Sequence, residues 1–218
     1  MVWSRISRDA AQPLGAQPAV LGKTARRAAA FGLIALGLAG CVNEAGNSVL
    51  PDVPTRWDHR PEAQSWTAAA FVAVAEKDDI LANRVPGDIN TWCPGYKNAT
   101  LNERRAFWVG LMSAVAKKES SHNPAASGGG GRYIGLMQIS PATARGNGCD
   151  AASTAALKDG SENLECAVEV FSRDVARDGL VAGGGNRGIG RQWGPFRKSD
   201  ARATMAAWTA KQPYCAKG

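Results

Sequence analysis

The sequence contains few of the side chains that build metal centres. Its 218 residues include only two histidines, and none of its five cysteines stands in a Cys-x-x-Cys pair. Structural zinc sites use four cysteine or histidine ligands, commonly in such closely spaced pairs. We therefore expect no metal site, and the sequence indicates no other cofactor.

Two glycine patterns that mimic cofactor motifs do not change this expectation. Gly183-x-Gly185-x-x-Gly188 fits a dinucleotide fingerprint by its letters, but that fingerprint requires a preceding strand within a βαβ unit. Neither is predicted here. The glycine run 128–131 lacks the Gly-Lys-Ser/Thr ending of a phosphate-binding loop. Both segments are more simply loops.

The apolar run near the N-terminus is too short to cross a bilayer. It follows Arg26 and Arg27 and covers the thirteen residues 28–40, whereas a transmembrane helix takes about 20. Such a run after basic residues is typical of a signal peptide. Its end, Leu38-Ala39-Gly40-Cys41, resembles the lipobox of bacterial lipoproteins.

The lipobox resemblance implies a lipid-anchored protein of the cell envelope. The signal peptide is then residues 1–40, and Cys41 carries a diacylglyceryl group on its thiol. Val42 stands where aspartate commonly retains lipoproteins in the inner membrane, which favours the periplasmic face of the outer membrane in a Gram-negative cell. The alternative is an ordinary signal peptide with an unmodified cysteine.

Excess charge is scarce once the leader is set aside. The whole sequence has 26 basic and 19 acidic residues, of which the predicted signal peptide contains five basic and one acidic. The remaining chain therefore has 21 basic and 18 acidic residues, a net charge of +3. Nucleic-acid-binding domains are commonly far more basic. We therefore expect no nucleic-acid partner.

The four cysteines after Cys41 indicate disulfides, because an even number in an exported chain commonly pairs. Three connectivities are possible. We favour Cys149–Cys166, which would link a loop to the helix after it, and Cys93–Cys215, which would link the C-terminal tail to the N-terminal part of the domain.

The remaining chain divides into a tether and one domain. Residues 41–60 are polar and proline-bearing without helical periodicity, and predict a flexible tether. Residues 61–218 are enough for one domain with a core. Helices are predicted from Trp66 to about Asn83 and from Glu103 to about Glu119, with Asn102 as the cap of the second.

Further elements complete a mainly helical α+β prediction. A short helix is expected after Ser140-Pro141, and Ser161 and Ser199 are candidate caps of two later helices. The segment 127–139 is too rich in glycine for a helix and predicts a short hairpin or loop.

One motif carries chemistry. Glu119 ends the predicted second helix and opens the run Glu119-Ser120-Ser121-His122-Asn123-Pro124. Sixteen residues after Glu119 comes Gly135-Leu136-Met137-Gln138-Ile139, and Pro141, Thr143 and Ala144 follow. A helix C-terminus disfavours a carboxylate and favours the neutral acid, which is the form that protonates a glycosidic oxygen.

These residues resemble the soluble lytic transglycosylase family, whose pattern is approximately Glu-Ser-x-aromatic-Asn-Pro followed by Gly-Leu-Met-Gln-Ile-x-Pro-x-Thr-Ala. His122 stands where the family often has phenylalanine. The resemblance implies a lysozyme-like fold with a small β element beside the cleft. It implies that Glu119 is the catalytic acid and base, and that the substrate is the glycan strands of peptidoglycan.

The resemblance also implies residues around the acid. Ser120 supports the glutamate, and Met137 and Gln138 line the cleft beside the sugar. The family's Ala-Tyr-Asn-x-Gly motif is matched at Asn186 and Gly188, but Gly185 replaces its tyrosine. Tyr133 is a candidate for the missing hydroxyl. Trp193 is either a stacking surface for a sugar or a core residue.

Three other functions stay open. A hydrolytic muramidase on the same fold would need a second carboxylate, for which Asp150, Asp159 and Asp174 are candidates. An inactive wall-binding lipoprotein would explain the missing tyrosine. A chitin or chitosan hydrolase is the third possibility.

Overall fold

The computed structural model describes residues 51–216. The predicted signal peptide, Cys41 and the first half of the expected tether lie outside these residues. Within them, no helix is both long and apolar enough to cross a membrane.

The described chain is mainly helical with one small sheet, as the sequence predicted. The α-helices of residues 51–216 are α1 (Ala63–Glu76), α2 (Ile89–Trp92), α3 (Leu101–Glu119), α4 (Pro141–Asn147), α5 (Gly160–Asp178) and α6 (Ser199–Thr209). The strands are β1 (Ser127–Gly128) and β2 (Tyr133–Ile134), which pair antiparallel. Short 3₁₀ helices cover Tyr96–Asn98, Ala156–Lys158, Gly188–Arg191, Gly194–Arg197 and Pro213–Cys215.

Helix α3 runs through the middle of the core. Every residue from Ala106 to Ala116 is buried, so this part of the helix is covered on all of its faces. Small residues, Gly110, Ser113, Ala114 and Ala116 among them, let neighbouring elements approach from all sides. A Cβ at Gly110 would overlap the Tyr214 hydroxyl. Because α3 is packed on all sides, the core fixes the position of its last residue, Glu119.

The starts of α3 and α5 differ from those predicted because other side-chain oxygens reach their free N–H groups. The α3 cap is Thr100, which accepts from Glu103 N in a capping box, rather than Asn102. The α5 cap is Asp159 rather than Ser161. Helix α1 begins and ends earlier than predicted, without a side-chain cap. Ser140 caps α4 ahead of Pro141, as predicted.

Residues 51–60 are packed, which corrects the second half of the predicted tether. Trp57 is fully buried, and its Nε1 donates to Thr67 Oγ1 at 2.9 Å. The backbone N–H of Arg56 donates to Ser113 Oγ in α3 at 2.9 Å. The prolines and polar residues of this segment predicted a flexible tether, but they are equally compatible with a non-helical segment that packs on a core.

Both favoured disulfides are present. Cys93–Cys215 has a Cα–Cα distance of 4.8 Å and joins the C-terminal tail to the end of α2. Cys149–Cys166 has a Cα–Cα distance of 5.1 Å and joins the loop after α4 to α5.

Candidate active site

An open cleft of about 840 Å³ lies beside the end of α3. Its walls come from the end of α3, the β-hairpin with the start of α4, and the segment 191–201. The polar and charged side chains that line it are Lys118, Glu119, Arg132, Tyr133, Gln138, Ser140, Thr143, Arg191, Gln192, Arg197 and Lys198.

Glu119 is the last residue of α3 and is half-buried in this cleft. Burial raises the pKa of its carboxyl to about 7, while the positive charge of Lys198 acts in the opposite direction. The raised value means that a large fraction of the side chain is the neutral acid at neutral pH. Glu119 can therefore give up a proton and then take one back.

A tight turn after α3 sets the direction of Glu119. Ser121 and His122 both adopt left-handed backbone angles, with φ of 53° and 64°. The buried His122 ring donates from Nε2 to Ser113 O at 3.0 Å, and burial lowers its pKa. The Ser120 hydroxyl donates to Ala116 O at 3.2 Å. Ser120 thus supports the helix end and not the carboxylate directly.

The Gly-Leu-Met-Gln segment is fixed to α5 by one buried amide. Asn163 accepts from Met137 N at 2.8 Å and donates to Ile134 O at 3.1 Å and to Leu157 O at 2.9 Å. Gly135 has a φ of +80°, and a Cβ there would overlap Leu157 O and the Asn163 side chain. The glycine is therefore required for this close approach.

Four of the residues proposed from the sequence line the cleft. They are Glu119, Tyr133, Gln138 and Trp193. Tyr133 is 42% exposed, and within residues 51–216 its hydroxyl makes no hydrogen bond to Glu119. Gln138 holds the turn through Nε2, which donates to Gly135 O at 2.9 Å.

Met137 and Asn186 lie outside the cleft lining, and Trp193 borders the cleft with little exposed surface. Met137 has 0% exposure, so its side chain fills the core rather than contacting a sugar. Asn186 is exposed outside the cleft lining. Trp193 is only 4% exposed, packs edge-on against Phe171, and donates from Nε1 to Met137 O at 2.8 Å. Trp193 is therefore mainly a core residue, which agrees with the second of its two predicted roles, and its small exposed surface borders the cleft.

Glu119 is the only carboxylate among the described residues that line the cleft. Asp150 borders a different cavity, between α1 and α5. Asp159 caps α5, and Asp174 is buried. The tertiary structure therefore places none of the three muramidase candidates beside Glu119.

Sequence reasoning missed the positive charge of the cleft. Five cationic side chains line it: Lys118, Arg132, Arg191, Arg197 and Lys198. They belong to no motif and come from three separate regions of the chain, so no local signal marked them. Within residues 51–216, no group of three or more His, Cys, Asp or Glu side chains could hold a metal ion.

Within residues 51–216, fold and site together define a lysozyme-like protein with a single acidic side chain in its cleft. The family model described as "Transglycosylase SLT domain" matches residues 98–206. The chain belongs to this family. No curated protein sequence matches it significantly.

Solved structures of DslA (Bd0314) have a similar fold. A glutamate-to-glutamine mutant of DslA superposes with a TM-score of 0.68 at 26% identity and covers 75% of this chain and 98% of that chain. The wild-type structure gives the same coverage and TM-score at 25% identity.

Proposed function

We propose that this protein is a peptidoglycan lytic transglycosylase that cleaves the bond between N-acetylmuramic acid and N-acetylglucosamine. The observation that carries this proposal is the solitary Glu119, whose pKa of about 7 suits both an acid and a base. Hydrolytic glycosidases usually use two carboxylates, about 5–5.5 Å apart in retaining enzymes and about 6.5–9.5 Å apart in inverting ones. Membership of the transglycosylase family supports the same assignment.

The reaction needs only one carboxyl group. Neutral Glu119 protonates the bridging oxygen as the bond from that oxygen to C1 of the muramyl sugar breaks. The resulting carboxylate takes the proton of the C6 hydroxyl, whose oxygen forms a new bond to C1. The products are a 1,6-anhydro sugar and a free hydroxyl on the departing strand. No water is consumed, and Glu119 returns to its neutral form.

Glu119→Gln tests the proposal. The amide keeps the shape but cannot transfer the proton, so we expect activity on purified peptidoglycan to fall by about 10²–10⁴ or more. Asp150→Asn, an exposed change outside the cleft, should retain wild-type activity. Mass spectrometry should find 1,6-anhydromuropeptides from the wild type. Reducing-end products would instead indicate a muramidase, and an active Glu119→Gln protein would exclude both activities.

Thermal unfolding separates loss of chemistry from loss of folding. Because the folded-state pKa of Glu119 is raised from 4.5 to about 7, its protonation stabilises the fold below pH 4.5, and this contribution disappears as pH rises through 7. Glutamine carries no such penalty. The variant should therefore unfold at or above the wild-type temperature at pH 7.5, with a smaller difference at pH 4.5.

We also propose that the enzyme is lipid-anchored through Cys41 and works from the periplasmic face of the outer membrane. The lipobox-like end of the leader and Val42 support this location. Cys41→Ala should give an unacylated protein with an uncleaved leader, detected by mass spectrometry of the membrane fraction. Normal processing of this variant would reject the anchor.

A further inference from the structure

The cleft carries more positive charge than acts on Glu119: of its five described cations, Lys198 alone shifts the pKa of that carboxyl. We propose that Lys118, Arg132 and Lys198 form a carboxylate-binding rim, which makes the enzyme select glycan strands that carry carboxylates over neutral ones. This inference rests on the proposed function and names the feature of the substrate that the cleft recognises.

Two of the five cations in the cleft already have partners. Arg191 pairs with Asp178, with 2.8 Å between Nη2 and Oδ1. Arg197 donates to Gly190 O at 2.7 Å and to Arg191 O at 2.6 Å. Both side chains therefore hold the segment 188–197 in place.

The other three cations have no such partner, although the charge of Lys198 also acts on Glu119. Within residues 51–216, the side chains of Lys118, Arg132 and Lys198 form no hydrogen bond or ion pair, and all three are exposed. They come from different walls: Lys118 from α3, Arg132 from the hairpin turn, and Lys198 from the residue before α6. A ligand in the cleft thus meets positive charge from three directions.

The charge of the cleft is opposite in sign to that of the cavity between α1 and α5. Among the described residues, Glu119 is the only acid that lines the cleft. By contrast, five acids border the cavity between α1 and α5: Glu76, Asp150, Glu162, Glu165 and Glu169. A cleft lined by charge of one sign concentrates ligands of the other sign. The rim is therefore a local feature and not a consequence of general basicity.

Carboxylates distinguish peptidoglycan strands from neutral N-acetylglucosamine polymers. They come from two sources, the stem peptides and, on strands without peptides, the lactyl group of the muramyl sugar. Both present the planar oxygen pair that lysine and arginine bind. A neutral chitin oligosaccharide offers the same ring shape without the charge.

Calorimetry with the Glu119→Gln protein measures binding without cleavage. Three tetrasaccharides of equal length should be compared: a chitin oligomer, a peptide-free glycan, and a glycan with stem peptides. We expect one or both anionic ligands to bind at least fivefold more tightly than the chitin oligomer at low salt, and the advantage to shrink at high salt. Tight binding of the peptide-free glycan identifies the lactyl group, whereas tight binding of the peptide-bearing ligand alone identifies the stem peptide.

A matched set of variants assigns the effect to the rim. In the Glu119→Gln background, Lys118→Gln, Arg132→Gln and Lys198→Gln should each reduce the affinity for the anionic ligand by roughly 1.5- to 5-fold, the range of exposed ion pairs. None of the three should change chitin binding. The control changes Lys97→Gln, Lys158→Gln and Lys211→Gln, which remove three exposed charges outside the cleft, should leave both affinities unchanged.

The proposal is overturned if all three ligands bind equally or if the control set loses as much affinity as the rim set. These binding results do not depend on the reaction products. If the wild-type enzyme forms anhydro products but Glu119→Gln shows no preference for anionic ligands, the rim is wrong and the transglycosylase assignment stands. If the products have reducing ends but Glu119→Gln still prefers the anionic ligands, the transglycosylase reaction is wrong and the carboxylate-binding rim stands.

Discussion

The charge of Lys198 and burial shift the pKa of Glu119 in opposite directions. Burial raises the pKa of the carboxyl to about 7, and the nearby ammonium limits that rise because it favours the carboxylate. Together they hold the pKa of Glu119 at about 7, so that the side chain can act as the acid in the first half of the proposed reaction and as the base in the second half. The motif around Glu119 could be recognised in the sequence, but Lys198 is 79 positions away and could not be connected with it.

Lys198→Gln should move the pH dependence of the enzyme. Without the ammonium, the pKa of Glu119 rises further, so the neutral acid persists to higher pH. Since kcat/KM reports the free enzyme, its decline, expected near pH 7 in the wild type, should occur at higher pH in the variant. The measurement is the rate of anhydromuropeptide formation between pH 4.5 and 9. Lys97→Gln is the control, and an alkaline limb that stays in place or moves to lower pH would contradict this account.

At the scale of elements, the site depends on how α5 holds the hairpin and the Gly-Leu-Met-Gln segment. Asn163 bonds to three backbone groups of two segments, and its side chain is fully buried. The sequence indicated this segment as part of the site, and Gln138 does line the cleft. It could not show that Met137 faces the core, because the direction of a side chain in an irregular loop depends on contacts with distant elements.

Asn163→Ala should weaken the whole fold. The change leaves the N–H of Met137 and the carbonyls of Ile134 and Leu157 buried without their partner. A buried unpaired polar group costs about 1–3 kcal/mol, so we expect the free energy of unfolding to fall by about 3 kcal/mol. Chemical denaturation followed by tryptophan fluorescence measures this. Asn83→Ala, at an exposed position, should change it by less than about 0.5 kcal/mol. A loss below about 1 kcal/mol at Asn163 would show that the amide is dispensable.

At the scale of the whole molecule, two disulfides close loops of very different length. Cys93 and Cys215 are separated by 122 positions, and Cys149 and Cys166 by 17. The first therefore restrains the chain from α3 to α6, including the cleft, but not α1, whereas the second restrains only the connection from α4 to α5.

Removing the long-range disulfide should cost more stability than removing the short-range one. On the chain-entropy model, a loop of about 100 residues or more is worth about 4.7 kcal/mol and one of about 15 residues about 3 kcal/mol. We expect the double variant Cys93→Ala/Cys215→Ala to have the lower unfolding temperature. Differential scanning calorimetry of this variant and of Cys149→Ala/Cys166→Ala would decide the order. Equal or reversed losses would indicate that local packing outweighs loop length.

Three disulfide connectivities were possible, and only the structure shows which one forms. The sequence by itself determined the mainly helical class, the non-helical segment 127–139, the presence of two disulfides and the position of Glu119. Each of these has a local or compositional signal, such as helical periodicity, a glycine run, an even number of cysteines in an exported chain, or a dense motif. Glu119 in particular is marked by its neighbours on both sides along the chain.

The tertiary structure decided which side chains meet in the cleft. It buried Trp193 and Met137, packed residues 51–60 onto α3, and left Asp150, Asp159 and Asp174 away from Glu119. It also brought Lys118, Arg132 and Lys198 to one cleft. Burial and electrostatic potential arise from atoms that are close in space, and here those atoms are contributed by segments far apart in the chain.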